Sequence, residues 1–105
     1  MEDNKDSVFE ILVGLKVVDN EIYQVYRAGM IPILHSYGGK FSYDFKVSEV
    51  LITESANEIN RVFTIQFPDQ SKMEAFFLDA NYKEVKEADF EGSVESTTII
   101  SSYRK

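Results

Sequence analysis

The period of the hydrophobic pattern changes several times along the chain, and these changes constrain the fold more than any other feature. Residues 8–17 alternate with a period of two, and one side of that predicted strand is entirely apolar: Phe9, Ile11, Val13, Leu15 and Val17. The same period returns at residues 40–53 and 61–67, and a β-branched segment at residues 97–103 predicts a fourth strand. In the second strand the large side chains are predicted to share one face: Phe41, Tyr43, Phe45 and Val47.

Helical spacing follows the first strand. Asp19 is the predicted N-cap of this helix, and Gly38 its predicted end, because glycine tolerates the left-handed conformation that terminates many helices. The expected buried stripe recurs at intervals of three and four residues: Tyr23, Tyr26, Met30, Ile33, Leu34 and Tyr37. Pro32 interrupts the stripe, and since proline removes a backbone donor we expect either a kink or two shorter helices.

A second helical segment follows the third strand. Ser71 and Glu74 have the spacing of a capping box, which predicts that the helix begins there. Its expected buried side chains are Met73, Phe76 and Phe77. The pattern is disturbed at residues 79–81 and resumes with Tyr82 and Val85.

The order of these elements predicts an α+β fold, the ferredoxin-like βαββαβ plait. In this architecture both helices pack on one face of a four-stranded antiparallel sheet, because the two crossovers have the same hand. We expect residues 1–105 to form a single domain, with the polar residues 1–6 as a flexible tail.

The other face of the sheet is predicted to need a partner. It mixes apolar and polar side chains, and four of its residues require partial cover: Leu12, Val62, Thr64 and Ile100. A second copy packed sheet against sheet would cover this face in both molecules at once. We therefore expect a homodimer formed through the open sheet face.

Composition excludes several functional classes. The chain has no cysteine, which excludes disulfides, thiolate metal sites and cysteine nucleophiles. Its net charge of −7 argues against a nucleic-acid partner, because phosphate binding depends on Lys and Arg. The apolar runs are too short to span a bilayer, and the acidic N-terminus is unlike a signal peptide. We expect a cytoplasmic protein without a membrane partner.

Candidates for catalysis are few. His35, the only histidine, could act as a general base together with Tyr26 and Tyr43. A structural explanation stays open, because a residue that can carry positive charge is mildly favoured near a helix C-terminus. One histidine and no cysteine leave too few ligands for an ordinary metal site, so we expect neither a metal nor a cofactor.

Candidates for ligand binding lie on the first helix and the second strand. Tyr23 and Tyr37 could line a pocket between this helix and the sheet, with their hydroxyls facing a ligand. Arg27 could bind an anion there, and Asp44 could supply an acid. The alternative is structural, since tyrosine is common at the edge of a core and single charges are usually solvated.

Several short motifs, taken in order, resemble a known family. They are Tyr23-x-x-Tyr26, Gly38-Gly39-x-Phe41, Phe67-Pro68, Ala75-Phe76-Phe77 and Asp79-x-x-Tyr82. From Val8 to Tyr103 the chain is similar to domain-of-unknown-function family thirteen-thirty, in the dimeric α+β-barrel superfamily. The resemblance implies the fold and a dimer but no activity. Its superfamily includes cofactor-free monooxygenases, haem-degrading enzymes and muconolactone isomerase-like proteins.

Three functions are therefore open. The protein could bind a small organic molecule between the first helix and the sheet. It could be a cofactor-independent enzyme, monooxygenase- or isomerase-like, that uses His35 and nearby tyrosines. It could also be a non-catalytic interaction protein. A closed pocket that holds His35 and two tyrosine hydroxyls favours the enzyme, an apolar pocket favours binding, and the lack of a pocket favours interaction.

Overall fold

Four strands form one antiparallel sheet in the computed structural model, which describes residues 7–105. The strands are β1 (Phe9–Val17), β2 (Lys40–Lys46), β3 (Arg61–Phe67) and β4 (Val94–Arg104), in the spatial order β2-β3-β1-β4. This order and the intervening helices confirm the ferredoxin-like α+β fold. The predicted flexible tail, residues 1–6, lies outside the described residues.

The first helix, α1 (Asn20–Ser36), is one continuous helix. The Asp19 carboxylate accepts a hydrogen bond from the Ile22 amide at 3.0 Å, as expected of an N-cap. The expectation of two shorter helices at Pro32 is wrong. Pro32 lies in the last turns of α1, and the buried side chains of Met30 and Leu34 on either side anchor the helix to the core.

The second predicted helix is divided into two. α2 (Gln70–Leu78) ends at Asp79, whose extended backbone interrupts the helix, and the Asp79 carboxylate then caps α3 (Ala80–Val85). A π-helical turn (Lys86–Phe90) continues directly from α3. The predicted N-cap Ser71 is wrong, because the Asp69 carboxylate accepts from the Lys72 amide and the helix begins two residues earlier.

One face of the sheet carries the hydrophobic core. β1 and β3 pair in register, with Ile11 opposite Ile65 and Val13 opposite Phe63, so their inward side chains form two parallel rows. The helices cover these rows with buried residues from all three: Tyr23, Tyr26, Met30, Leu34, Phe76 and Tyr82. All helices thus pack on a single face, as the fold requires.

A β-bulge changes the sidedness of β2. Phe41 pairs with Ile65, but the next paired residue is Tyr43, opposite Thr64. Beyond the bulge Asp44 lies on the helix face, whereas Tyr43 and Phe45 lie on the open face. The prediction that Tyr43 and Phe45 share a face with Phe41 is therefore wrong, because an extra residue reverses strict alternation.

The second strand also ends earlier than predicted. It stops at Lys46 rather than Thr53, because β3 begins opposite it at Arg61 and offers no further residues to pair with. Residues 47–60 instead turn back over the open face, where Ile59 rests on Gly14. A Cβ atom on Gly14 would lie only 2.8 Å from the Ile59 side chain, so this close approach requires glycine.

Phe76 provides a test of the core. It is fully buried and contacts Phe67, Phe77 and Tyr82, so Phe76→Ala is expected to lower the free energy of unfolding by about 3–5 kcal/mol. Its neighbour Phe77 is 37% exposed, and Phe77→Ala is the matched control with a smaller loss. Denaturant titration of both variants measures the difference. Equal losses would contradict the assigned orientation of α2.

Candidate ligand-binding cavity

A cavity of about 210 Å³ lies between the helices and the core face of the sheet. β1 and β3 provide its floor, and α1, α2, α3 and the π-helical turn provide its walls. Thr97 and Ile99 of the edge strand β4 line it and are nevertheless exposed, so the mouth lies along β4. Its wall is mostly apolar and aromatic, as in small-molecule sites.

Two buried phenols meet on the cavity wall. The hydroxyls of Tyr26 on α1 and Tyr82 on α3 are 2.9 Å apart and share a hydrogen bond. Burial raises the pKa of both side chains, so both phenols stay protonated at neutral pH. The pair therefore offers hydroxyl groups in an otherwise apolar space.

The π-helical turn completes this wall. Its widened turn, with the Glu91 amide bonded to the Lys86 carbonyl at 3.2 Å, places the Phe90 ring 4.8 Å from that of Tyr26. Such turns interrupt regular helices and occur frequently at functional sites. Lys86 and Phe90, at its two ends, both line the cavity.

A network of charges closes the end of the helix layer nearest β2. Asp44 accepts from Arg27 at 2.9 Å and from Arg61 at 2.8 Å, and Arg27 also donates to the Tyr23 hydroxyl at 3.0 Å. Partial burial raises the pKa of Asp44, but the two guanidinium groups outweigh it and leave that pKa below its ordinary value. The Arg27 guanidinium also lies 3.9 Å from the centre of the Phe41 ring.

The structure places the four predicted ligand-binding residues in three different environments. Tyr23 lines the cavity. Arg27 and Asp44 come together, but they bind each other and Arg61 rather than facing open space. Tyr37 lies away from the cavity and donates to Asp79 at 2.6 Å. Of the four predicted ligand-binding residues, Tyr23 alone thus contributes to the cavity wall.

The predicted catalytic residues are not brought together. Tyr26 is buried on the cavity wall, whereas His35 is exposed near the end of α1 and does not line the cavity. Tyr43 is 58% exposed on the opposite face of the sheet, where the β-bulge puts it. A proton relay through these three side chains has no geometric basis.

Sequence reasoning missed several cavity or network residues, Tyr82, Lys86 and Arg61 among them. Tyr82 was predicted only as a core residue, and its contact with Tyr26 joins positions 56 residues apart. Lys86 follows Tyr82 by one helical turn, a spacing that could have suggested a shared face. Arg61 gave no signal, because nothing in the sequence indicates that it lies beside Asp44.

A second polar cluster lies on the open face of the sheet. The Glu10 side chain is only 3% exposed, and it accepts hydrogen bonds from Tyr103, from Gln66 at 2.9 Å, from Ser42 at 3.2 Å and from Lys105 at 3.3 Å. Burial raises the pKa of Glu10, but the hydrogen bonds from these partners outweigh it and leave the pKa below 4.5, its ordinary value. Glu10 thus stays charged and fully paired.

Residues 7–105 contain no group of three or more His, Cys, Asp or Glu side chains placed to hold a metal ion. In the same part of the chain no helix is long and apolar enough to cross a membrane.

The order and packing of the strands and helices define the class of the protein, the ferredoxin-like α+β proteins. Its sequence matches the family described as Domain of unknown function (DUF1330) over residues 9–103, and the chain belongs to this family. The resemblance seen in the motifs is thereby confirmed. None of the curated proteins matches the sequence significantly.

Solved structures support the same fold. A protein of unknown function from Rhodopseudomonas palustris is 17% identical, with a TM-score of 0.74 over 94% of this chain and 81% of that one. A DABB family protein from Mesorhizobium loti, with a ferredoxin-like fold, is 12% identical, with a TM-score of 0.65 over 94% and 95%. A variant of SnoaB, a cofactor-independent oxygenase from Streptomyces nogalater, is 10% identical, with a TM-score of 0.51 over 94% and 89%. At these identities the likeness concerns the fold alone.

The Glu10 cluster predicts a dependence of stability on pH. Because the folded-state pKa of Glu10 is lowered, its charged form stabilises the fold above pH 4.5, and this contribution is lost as the pH falls through the folded-state pKa. Glu10→Gln should therefore be less stable than wild type at pH 7, with a smaller difference at acid pH. Denaturant titrations across this range measure it.

The matched control for that titration is Glu84→Gln. The Glu84 side chain is exposed and makes no hydrogen bond or ion pair within residues 7–105, so its substitution should leave the pH profile of wild type unchanged. A constant difference between Glu10→Gln and wild type at every pH would show that the Glu10 charge does not stabilise the fold.

Proposed function

We propose that this protein binds a small organic molecule in the cavity between α1 and the sheet. One observation carries the proposal: the cavity is apolar and open at one side, and the buried Tyr26 and Tyr82 side chains, whose hydroxyls pair, line its wall. Protein interiors are otherwise packed to the density of organic crystals, so a cavity of this size favours a bound ligand.

The cavity volume limits the size of that molecule. An engineered apolar cavity of about 150 Å³ is enough to bind benzene, and this cavity is about 210 Å³. Sites for drug-sized ligands are larger, about 300–1,000 Å³. A compact molecule with one ring or two fused rings therefore suits the space.

The alternative of a cofactor-independent enzyme has weaker support. SnoaB is described as a cofactor-independent oxygenase, but its likeness to this chain extends only to the fold. The proposed general base, His35, is exposed and away from the cavity. Tyr26 alone, with its raised pKa, is a hydrogen-bond donor rather than a base at neutral pH.

Blocking the mouth of the cavity tests the binding proposal. Thr97→Phe places a ring at the mouth and should weaken binding of a neutral naphthalene carboxamide by tenfold or more, as measured by titration calorimetry. Thr98→Phe is the matched control, because Thr98 pairs with Gly14 and faces the other side of the sheet. Binding that is absent in wild type, or equally weakened in both variants, would refute the proposal.

We also propose that the protein forms a homodimer through the open face of the sheet. Apolar side chains are exposed there: Tyr43, Phe45 and Ile100 on the strands, and Leu51 and Ile52 on the segment that crosses them. Tyr43 and Phe45 stack on the edge strand β2, and Ile100 lies on the opposite edge strand β4, so exposed apolar side chains span the width of this face. Exposed apolar surface of this extent favours association. The charged Glu10 on this face already has its hydrogen-bond partners, so covering it would leave no unpaired charge.

The dimer proposal is tested by light scattering at micromolar concentration. We expect a symmetric dimer that buries at least about 1,000 Å² in total, the usual minimum for a specific interface. Phe45→Asp combined with Ile100→Asp should give a monomeric mass. Val25→Asp, an equally exposed apolar site on the outer side of α1, should leave the dimer intact. A monomeric wild type, or a dimer that survives the double substitution, would contradict the proposed face.

A further inference from the structure

Among the residues that the structure describes, Lys86 is the one charged residue on the cavity wall. Lys86 is half-buried, whereas every other lining residue is uncharged. No Asp or Glu carboxylate within residues 7–105 forms a salt bridge with its ammonium group. An anion bound in the cavity would give this ammonium group the charge partner that the described residues do not provide.

The phenols of the cavity add uncommitted donors. Tyr26 and Tyr82 have two hydroxyl protons between them, but their shared hydrogen bond uses only one. The second proton has no acceptor among the described residues, although both side chains are only 5% exposed. A buried hydroxyl without an acceptor costs free energy, which an oxygen atom of a ligand would relieve.

Lys86 and the phenol pair lie close together because of the chain geometry. Tyr82 and Lys86 are four residues apart, and the Lys86 amide donates to the Tyr82 carbonyl, so their side chains leave the same face of the helix. Tyr26 reaches this face from α1 through its bond to Tyr82. Lys86 and the phenol pair thus line the same side of an apolar space.

We propose that the occupant is a compact aromatic carboxylate. Its rings lie among the Phe and aliphatic side chains of the cavity, and its carboxylate binds Lys86 and the Tyr26–Tyr82 pair. This inference rests on the proposed function, since it names the class of molecule for the same cavity. The chemistry is complementary throughout: a carboxylate only accepts hydrogen bonds, and both an ammonium and a phenol donate them. Hydrogen bonds to a charged group are also the stronger kind.

A pair of isosteric probes separates the charge from the rings. Naphthalene carboxylate and naphthalene carboxamide have the same rings and nearly the same shape, but only the first is an anion. Wild type should bind the carboxylate about tenfold more tightly than the amide in titration calorimetry at neutral pH, the difference that one charge-assisted hydrogen bond supplies. In Lys86→Met this preference should disappear, while affinity for the amide stays unchanged.

Three further variants show whether the preference depends on this position. Lys86→Arg keeps the charge and should retain the preference. Lys83→Met removes an exposed lysine of α3 outside the cavity and should also retain it. Tyr82→Phe keeps the ring but removes a hydroxyl, and should reduce the preference without abolishing it. Circular dichroism of each variant confirms that the fold is kept.

Each result of these titrations either supports or overturns the inference. If wild type binds both probes equally, or if Lys86→Met still prefers the carboxylate, the inference is overturned while the proposed binding function stands. If neither probe binds, the proposed function fails and the inference fails with it.

Discussion

The β-bulge between Phe41 and Tyr43 determines what each face of the sheet carries. Because of this extra residue, Asp44 turns toward α1 and holds two guanidinium groups, those of Arg27 and Arg61, over the aromatic core. The same residue turns Phe45 to the open face. With strict alternation Phe45 would join the core, and both arginines would be partly buried without a counter-ion. Burying an unpaired charge costs several kcal/mol per charge by general estimates.

The sequence predicts the parts of the fold in which local preference and tertiary packing agree. β1 and β3 pair without interruption along their length, so their apolar alternation translates directly into a core face. The second half of β2 could not be predicted, because neither Gly nor Pro marks the bulge and the length of β2 depends on where β3 begins. For a related reason, only part of the candidate cavity could be predicted from the sequence. Tyr23 and Tyr26 follow from helical spacing, but the contact with Tyr82 exists only once two distant helices pack together.

Both polar clusters follow one physical rule, that buried polar groups are paired. Glu10 is buried with a full set of donors, and Asp44 is held by two arginines, so each carboxylate is satisfied within the protein. The cavity is the exception, since Lys86 and one phenol proton lack partners among residues 7–105. A buried phenol hydroxyl without an acceptor destabilises a fold unless something else pairs with it. The presence of both groups in one cavity distinguishes it from a packing defect, which would be lined by apolar atoms only.

The π-helical turn makes the cavity depend on the number of residues in the chain as well as on their identity. The π-helical turn holds one residue more than a regular α-helical turn, so deleting one residue between Lys86 and Phe90 would restore the α-helix, remove part of the wall and shift the Phe90 ring relative to Tyr26. The helix and the sheet could survive that change, whereas the wall of the cavity could not. Relatives that differ by a single insertion or deletion in this short stretch would then share the fold but differ in the shape of this cavity, a divergence that no comparison of aligned substitutions would reveal.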